Sequence, residues 1–316
     1  MNARIIAFAA VVAFGLAAPF LGLYPVLLMK LLCFALFACA FNLLIGFVGL
    51  LSFGHAMFFG SAAYAAGHAM KVWGFTPELG LLFGMAVAAV LGLVVGALAI
   101  RRQGIYFAMI TMALAQMVYF VALQAPFTGG EDGLQGIPRG ALFGVLPLQS
   151  DLTLYYVVLA IVVAAWLLIA RIVHSPFGQI LKAIRENEPR TISLGYDTDH
   201  FKLLAFVLSA ALAGLAGALK SVILGFATLS DVYWGTSGSV ILMTLIGGIG
   251  TLTGPVIGAF VITGLENILA DRVGSWVTVI LGVIFVVSVL LFRQGLVGTA
   301  MRFVPRRHAR QRESPA

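Results

Sequence analysis

What most constrains this chain is the length of its stretches without Asp, Glu, Lys, Arg or His: residues 5–29, 31–54, 79–100, 103–130, 152–170, 232–265 and 273–292. Most reach the ~20 residues that a helix needs to cross a bilayer, and they outrun the ~11-residue helices of soluble domains. Charged residues make up 10% of the 316 and hydrophobic residues 61%, whereas a soluble domain carries roughly a quarter charged. A spanning strand would alternate apolar and polar residues over ~10 positions, and the runs show no such alternation. Helices, which satisfy their backbone polar groups internally, are what remains for such runs in hydrocarbon. The expected fold is all-α, a polytopic transmembrane helical bundle.

Splitting the runs at Gly and Pro clusters gives about ten spans (eight to ten), near 5–21, 27–47, 52–70, 79–100, 104–124, 152–170, 203–226, 234–249, 253–270 and 273–292. With the amino terminus inside, one side of the membrane collects Arg4, Arg101, Arg102, Arg171, Lys182, Arg185, Arg190, Lys202, Arg293, Arg302, Arg306, Arg307, Arg310 and Arg312. The other keeps Lys30, Lys71, Arg139 and Arg272. Basic loops are held on the cytoplasmic side, so both termini are expected there. The domain organisation that follows is a single transmembrane domain over 1–300, with an outer loop at 125–151, a cytoplasmic loop at 171–202 and a basic cytoplasmic tail at 301–316 that meets anionic lipid.

A net charge of +7 does not point to nucleic acid, because the basic residues lie beside apolar runs and no aromatic-interleaved basic surface exists. The beginning Met1-Asn2-Ala3-Arg4 imitates a secretory signal. The apolar stretch continues to Met29 through Pro19 and Pro25 with no convincing small-x-small site, so an anchor is expected instead. Cys33 and Cys39, six apart in one apolar run, read as small packing residues rather than a disulfide.

The loop at 171–202 differs from the other connections. In it Phe177, Ile180, Leu181 and Ile184 recur at i, i+3, i+4 and i+7, one face of a helix. Ser175 can cap its start, and Pro189 with Gly195 brackets a second short helix, so the two meet near Asn187. No G-x-x-x-x-G-K-[ST] loop occurs in the chain, so ATP-driven work would come from a partner that grips this element. The ridge Arg185, Glu186 and Glu188 suits a lever seated in a partner's groove, and the competing reading is a helix lying flat on the membrane surface.

Four segments resemble the LivM-type permeases of branched-chain amino acid ABC importers. They are Gly46-Phe-Val-Gly-Leu-Leu-Ser-Phe-Gly-His-Ala-Met-Phe-Phe-Gly60 with Ala62, Ala63, Tyr64 and Ala65; Gly104-Ile-Tyr-Phe-Ala-Met-Ile-Thr111; Thr128-Gly-Gly-Glu-Asp-Gly-Leu-Gln-Gly-Ile-Pro138; and a long one from Ser175-Pro-Phe-Gly178 through Ala183-Ile-Arg-Glu-Asn-Glu188 and Leu194-Gly195 to Gly247-Gly-Ile-Gly-Thr-Leu-Thr-Gly-Pro-Val-Ile-Gly258. Leu50 departs from the Gln that relatives often carry before the Ser-x-Gly-His run.

The resemblance implies that Ala183, Ile184, Arg185, Glu186, Asn187, Glu188, Leu194 and Gly195 form the coupling motif on which an ATPase docks. It also implies a LivH-like second permease, two ABC ATPase subunits that bind the ATP, and an extracytoplasmic solute-binding protein. The chain itself would hold no cofactor and catalyse nothing, and it would reside in the inner (plasma) membrane.

Candidates for the translocation path are Ser52, His55, Lys220, Gly247, Gly248 and Gly250. His55, in an apolar run, is either a hydrogen-bonded structural group or a gate. Lys220 either lines the pore or snorkels to the outer interface or pairs with Asp231. The Gly247 to Pro255 cluster marks a break or tight turn in a run too long for one span. Gly54, Gly60, Ala63 and Gly67 form a smooth face for neighbouring helices. Glu266, Asp271 and Arg272 read as boundary residues, Tyr233, Trp234 and Trp276 as interfacial aromatics. Glu131 and Asp132 offer either a contact for a binding protein or a plain solvated loop. No nucleophile and base, and no metal-ligand spacing, fall in one polar cavity. The rival function is an autonomous ion-coupled transporter, which needs intramembrane carboxylates that the spans before Glu266 scarcely supply.

Overall fold

The computed structural model describes residues 15, 18–21, 24–144, 146–291 and 295–296. Most of the expected first span at 5–21, with Arg4, the basic residues from Arg293 on and the tail 301–316, lies outside them. Helices α1 (Pro25–Phe47), α2 (His55–Val72), α3 (Pro77–Ala99) and α4 (Ile105–Gln124) precede the long loop. After it come α5 (Asp151–His174), two short helices α6 (Pro176–Glu186) and α7 (Glu188–Ser193), and then α8 (Thr198–Leu224). The chain continues through α9 (Trp234–Gly247), α10 (Gly254–Val273) and α11 (Val277–Leu291). Proline stands in the first turn of α1, α3, α6, α7 and α10, where its missing N–H costs nothing. Among the described residues five helices, α1, α3, α4, α5 and α8, are long and apolar enough to cross a membrane.

The bundle is built around α1 and α8, both largely buried. Helix α8 packs against α1, α2 and α3, and α1 also meets α5 and α10. Helix α3 shows why: Gly80, Gly84, Ala88, Gly92 and Gly96 recur every four residues on its buried side, while Leu79, Leu82, Val90, Leu93 and Leu98 point outward. A Cβ at Gly92 would meet that of Ala210, and one at Gly214 would meet that of Ala88. Small residues inside and large apolar residues outside are what close helix packing in lipid requires, since there is no hydrophobic gain between the helices.

The two ends of the bundle differ. At one, the loop after α4 adds short strands to an otherwise helical fold. Leu134–Gln135 (β1) pairs antiparallel with Phe226–Ala227 (β4), and Ala141–Leu142 (β2) pairs with Leu146–Pro147 (β3). The loop is tied down by Ile137 N donating to Gly225 O (2.8 Å), Lys71 Nζ to Gln135 O (2.7 Å), and Arg139, which pairs with Asp151 (2.6 Å) and donates to Ile223 O (3.0 Å). The other end carries α6 and α7.

Between these ends the chain does something that hydropathy did not suggest. The start of α2 lies beside the middles of α1 and α8, because His55 Nε2 is 2.8 Å from Ser209 Oγ and that hydroxyl donates to Ala40 O (2.6 Å). Residues 48–54 therefore return from the end of α1 into the interior without helical structure, so the span expected at 52–70 begins deeper and later, at His55. Exposed to hydrocarbon such backbone would be untenable, but here all of it except the exposed Gly49, at the end of α1, is buried or half-buried. Val48, Leu50, Ser52 and Gly54 are buried, Phe53 N donates to Thr111 Oγ1 (3.3 Å), and Gly54 N to Ser52 Oγ (3.3 Å).

Candidate functional site

Helix α5 runs into α6 through a single capping residue. Ser175 Oγ accepts from Gly178 N (3.3 Å), and Gly178 is packed so tightly against the last turn of α5 that a side chain there would strike the carbonyls of Ile172 and Val173. Asn187 ends α6 in extended conformation and caps α7, its Oδ1 accepting from Arg190 N (3.1 Å). Gly195, at φ +90, stops α7 in a left-handed turn that leads into α8. Two short helices thus meet at Asn187.

Leu181 and Ile184 are buried, Phe177 and Ile180 half-buried, and Phe177 lies 5.8 Å, ring to ring, from Phe201 of α8. The apolar face of α6 is used up by its own bundle. Ala183, Glu186, Pro189, Arg190, Ile192 and Leu194 are exposed on the far side.

Of the expected ridge, Glu186 alone is outward and unengaged in polar contacts. Glu188 bonds inward to Lys202 and to Thr198 Oγ1 (3.2 Å), so α7 is pinned to α8. Arg185 is itself exposed, but its tip turns back, Nη1 donating to the carbonyl of Gly46 at the end of α1. Lys182 Nζ stands 6.0 Å above the Phe47 ring centre. The ridge is therefore two anchors and one free carboxylate, a distinction invisible to helical periodicity, which sorts faces but not long polar side chains.

The six candidates for a path do not converge. Gly247, Gly248 and Gly250 sit in the α9–α10 turn at the α6 end. A Cβ at Gly247 would strike the backbone of Gly254 and Pro255, so the two helices close as a tight hairpin there. His55 and Ser52 lie mid-bundle, His55 fully buried amid the rings of Phe41, Phe58 and Phe206. Lys220 is at the opposite end, buried and ion-paired with Asp231, 5.9 Å over the Phe59 ring. Asp231 also accepts from Thr228 N (3.2 Å), closing a capping box. Of the readings open for Lys220, pairing with Asp231 is the one observed.

Glu131 and Asp132 occupy an exposed turn, and Glu266 is half-buried on α10. Gly54, Gly60 and Gly67 do allow close approach, but to three different neighbours: the Thr111 carbonyl, the Asp231–Val232 backbone and Ile137. The side chain of Asp271 lies outside the described residues. A cavity of about 450 Å³ between α1, α5 and α10, lined by Leu28, Leu36, Tyr155, Val162, Trp166 and Phe260 among others, contains none of the six. Among the described residues no three His, Cys, Asp or Glu come together to hold a metal.

Sequence reasoning overlooked Asn42. It is the one carboxamide in the run 31–54, and both ends of that amide are used: Oδ1 accepts from Gly250 N (2.9 Å) and Nδ2 donates to Thr251 O (2.8 Å). Trp166 Nε1 of α5 donates to Leu252 O (3.0 Å) of the same turn. A lone polar side chain in an apolar run was the available signal.

A bundle of long apolar helices, with small residues packed inward and large apolar ones outward and a short amphipathic helix pair docked at one end, defines a multi-pass membrane protein. The chain belongs to the branched-chain amino acid transport system / permease component family, whose model matches residues 23–289. It is 28% identical over 283 residues to the high-affinity branched-chain amino acid transport system permease protein LivM of Escherichia coli (strain K12), and equally so to that of Salmonella typhimurium; each match covers 81% of this chain and 65% of the relative. It is 28% identical over 203 residues to the autoinducer 2 import system permease protein LsrC of Klebsiella pneumoniae, with 60% of this chain and 56% of the relative covered. The chain thus spans 65%, less than two thirds, of the length of the LivM proteins. No solved structure matches it.

Proposed function

We propose that the chain is one permease subunit of an ATP-binding cassette importer of branched-chain amino acids, in the inner (plasma) membrane, moved by separate ATPase subunits that dock on residues 175–196. The observation that carries this reading is the α6–α7 pair. Its apolar face is consumed by the bundle, its caps make it rigid, and it offers Ala183, Glu186, Pro189, Arg190 and Leu194 to the outside. A helix lying on a membrane would instead turn its apolar face to lipid. A rigid protrusion continuous with α5 and fastened to α1 and α8 suits the passing of a partner's rigid-body motion into the bundle.

Membership of the family supports the substrate class, and the LivM relatives are named for branched-chain amino acids. The partners are a second, LivH-like permease, two ATPases and an extracytoplasmic solute-binding protein. The bias of basic residues toward the α6 end supports a cytoplasmic position for α6 and α7. The chain itself binds no ATP and performs no catalysis in this scheme.

The test replaces Ala183→Asp and Glu186→Lys together in the outward face of α6. Substrate-stimulated ATP hydrolysis by the assembled complex should be lost while the chain's abundance in the membrane stays unchanged. Wild-type hydrolysis and leucine uptake in this variant would contradict the docking site.

A further inference from the structure

The α1–α2 and α9–α10 connections are versions of one another. Ile45-Gly46-Phe47-Val48-Gly49-Leu50-Leu51-Ser52 and Ile246-Gly247-Gly248-Ile249-Gly250-Thr251-Leu252-Thr253 share the pattern Ile-Gly-x-(Val/Ile)-Gly-x-Leu-(Ser/Thr). In each, a helix reaches the α6 end and the second shared glycine adopts a left-handed conformation, φ +86 at Gly49 and +75 at Gly250. Phe53 is an extra residue in the first copy, and there the chain turns inward before α2 starts. In the second copy Pro255 stands in the first turn of α10 and the hairpin closes at once.

Arg185 touches both copies. Its Nη1 donates to Gly46 O, a Cβ at Gly49 would sit 3.2 Å from its Cγ, and one at Gly250 would sit 3.0 Å from Nη1. Asn42 links the copies from the inside, tying the last turns of α1 to Gly250 and Thr251. At Gly46 a side chain would strike the Asn42 amide and crowd Gly250 N, so the two turns interlock with no room between them.

We infer that Arg185 and Asn42 form a transmission joint, through which displacement of α6 is delivered to both glycine turns at once, and so to α1 and the α9–α10 hairpin together. The inference rests on the docking of ATPases at α6. It assigns Arg185 a different task from its neighbours: a positioning residue that faces the bundle, while Ala183 and Glu186 face the motor. The neutral bonds of Asn42 to the backbone of Gly250 and Thr251 suit a joint, because they hold geometry while costing little to break and remake, and the cationic bond of Arg185 to Gly46 O is the firmer link to α6.

The experiment uses the full complex, with the second permease, ATPases and binding protein, reconstituted in vesicles, and reads labelled leucine moved per ATP hydrolysed. Wild-type complex that moves no leucine would fault the proposed substrate and leave the joint to be read with another amino acid the wild type does carry. With transport established, Asn42→Ala should lower the solute moved per ATP by about tenfold, within the range of coupling free energies between sites, while substrate-stimulated hydrolysis stays within about twofold of wild type. Arg185→Gln, which leaves the outward face of α6 intact, should lower the same ratio, and Arg185→Lys should restore part of it. An unchanged ratio, whether both rates are full or both fall in parallel, would overturn the joint. So would failure of both Asn42→Ala and Arg185→Gln to assemble, which would make these residues folding elements.

Discussion

The two ends of this bundle are fastened by different chemistry. At the end with the β pairing, a buried ion pair between Lys220 and Asp231 is backed by the Thr228 capping box and by Arg139 bridging Asp151 and the Ile223 carbonyl. At the α6 end an ion pair, Glu188 with Lys202, also pins α7 to α8, but the two glycine turns are held by mostly neutral ties: Asn42 to Gly250 and Thr251, Trp166 to Leu252, and a cationic bond from Arg185 to the Gly46 carbonyl. Breaking a buried ion pair leaves a charge stranded and costs about 3–5 kcal/mol, whereas an interhelical neutral bond in a membrane protein contributes about 0.6 kcal/mol. The first end is built to hold still; at the second, α7 is fixed to α8 by its ion pair and rearrangement is inexpensive among the glycine turns. That is the end at which a motor would act.

The sharpest way to break this contrast is Lys220→Met, which should destabilise the chain by about 3–5 kcal/mol because Asp231 is left buried and unpaired. Thermal unfolding in detergent reads the loss. The double variant Lys220→Met/Asp231→Leu should recover most of that stability and retain transport. Recovery of stability with loss of transport would instead make Lys220 a residue of the path.

At the other end, Gly49→Ala places a side chain at φ +86 against Arg185 and should cost about 1–2 kcal/mol, with the same assay deciding. Trp166→Phe removes one bond to Leu252 O and should cost about 1 kcal/mol or less. Glu186→Ala, on the exposed face, should shift stability by no more than about 0.5 kcal/mol. A large loss there would mean that α6 is held by its outer face after all.

Much of this was legible in the sequence. The spans expected from 27–47 to 273–292 match α1 to α5 and α8 to α11 to within five residues at each end, since apolar segments bounded by Gly, Pro or charge leave hydropathy little freedom. Ser175, Asn187, Pro189 and Gly195 bracketed α6 and α7 correctly, because caps and stops act on the backbone close by. What stayed hidden depends on distant neighbours. Periodicity could not tell that Arg185 and Glu188 reach inward while Glu186 does not, or that residues 48–54 fold back to bring His55 to Ser209. Nor did glycine content alone show that the break at Gly247, Gly248 and Gly250 is a tight hairpin held from one side by Asn42 and met by Arg185. The repeated Ile-Gly-x-(Val/Ile)-Gly pattern was present in the letters, but its meaning lies in the one arginine that meets both copies.

Docking of the motor at α6 can be tested by contact. With Cys33 and Cys39 replaced by Ala and one cysteine introduced as Glu186→Cys, a short thiol crosslinker applied to the assembled complex should join this chain to an ATPase subunit, and ATP should change the yield. A crosslink to the extracytoplasmic binding protein, or labelling of that cysteine in intact cells by a reagent that cannot cross the membrane, would contradict the account.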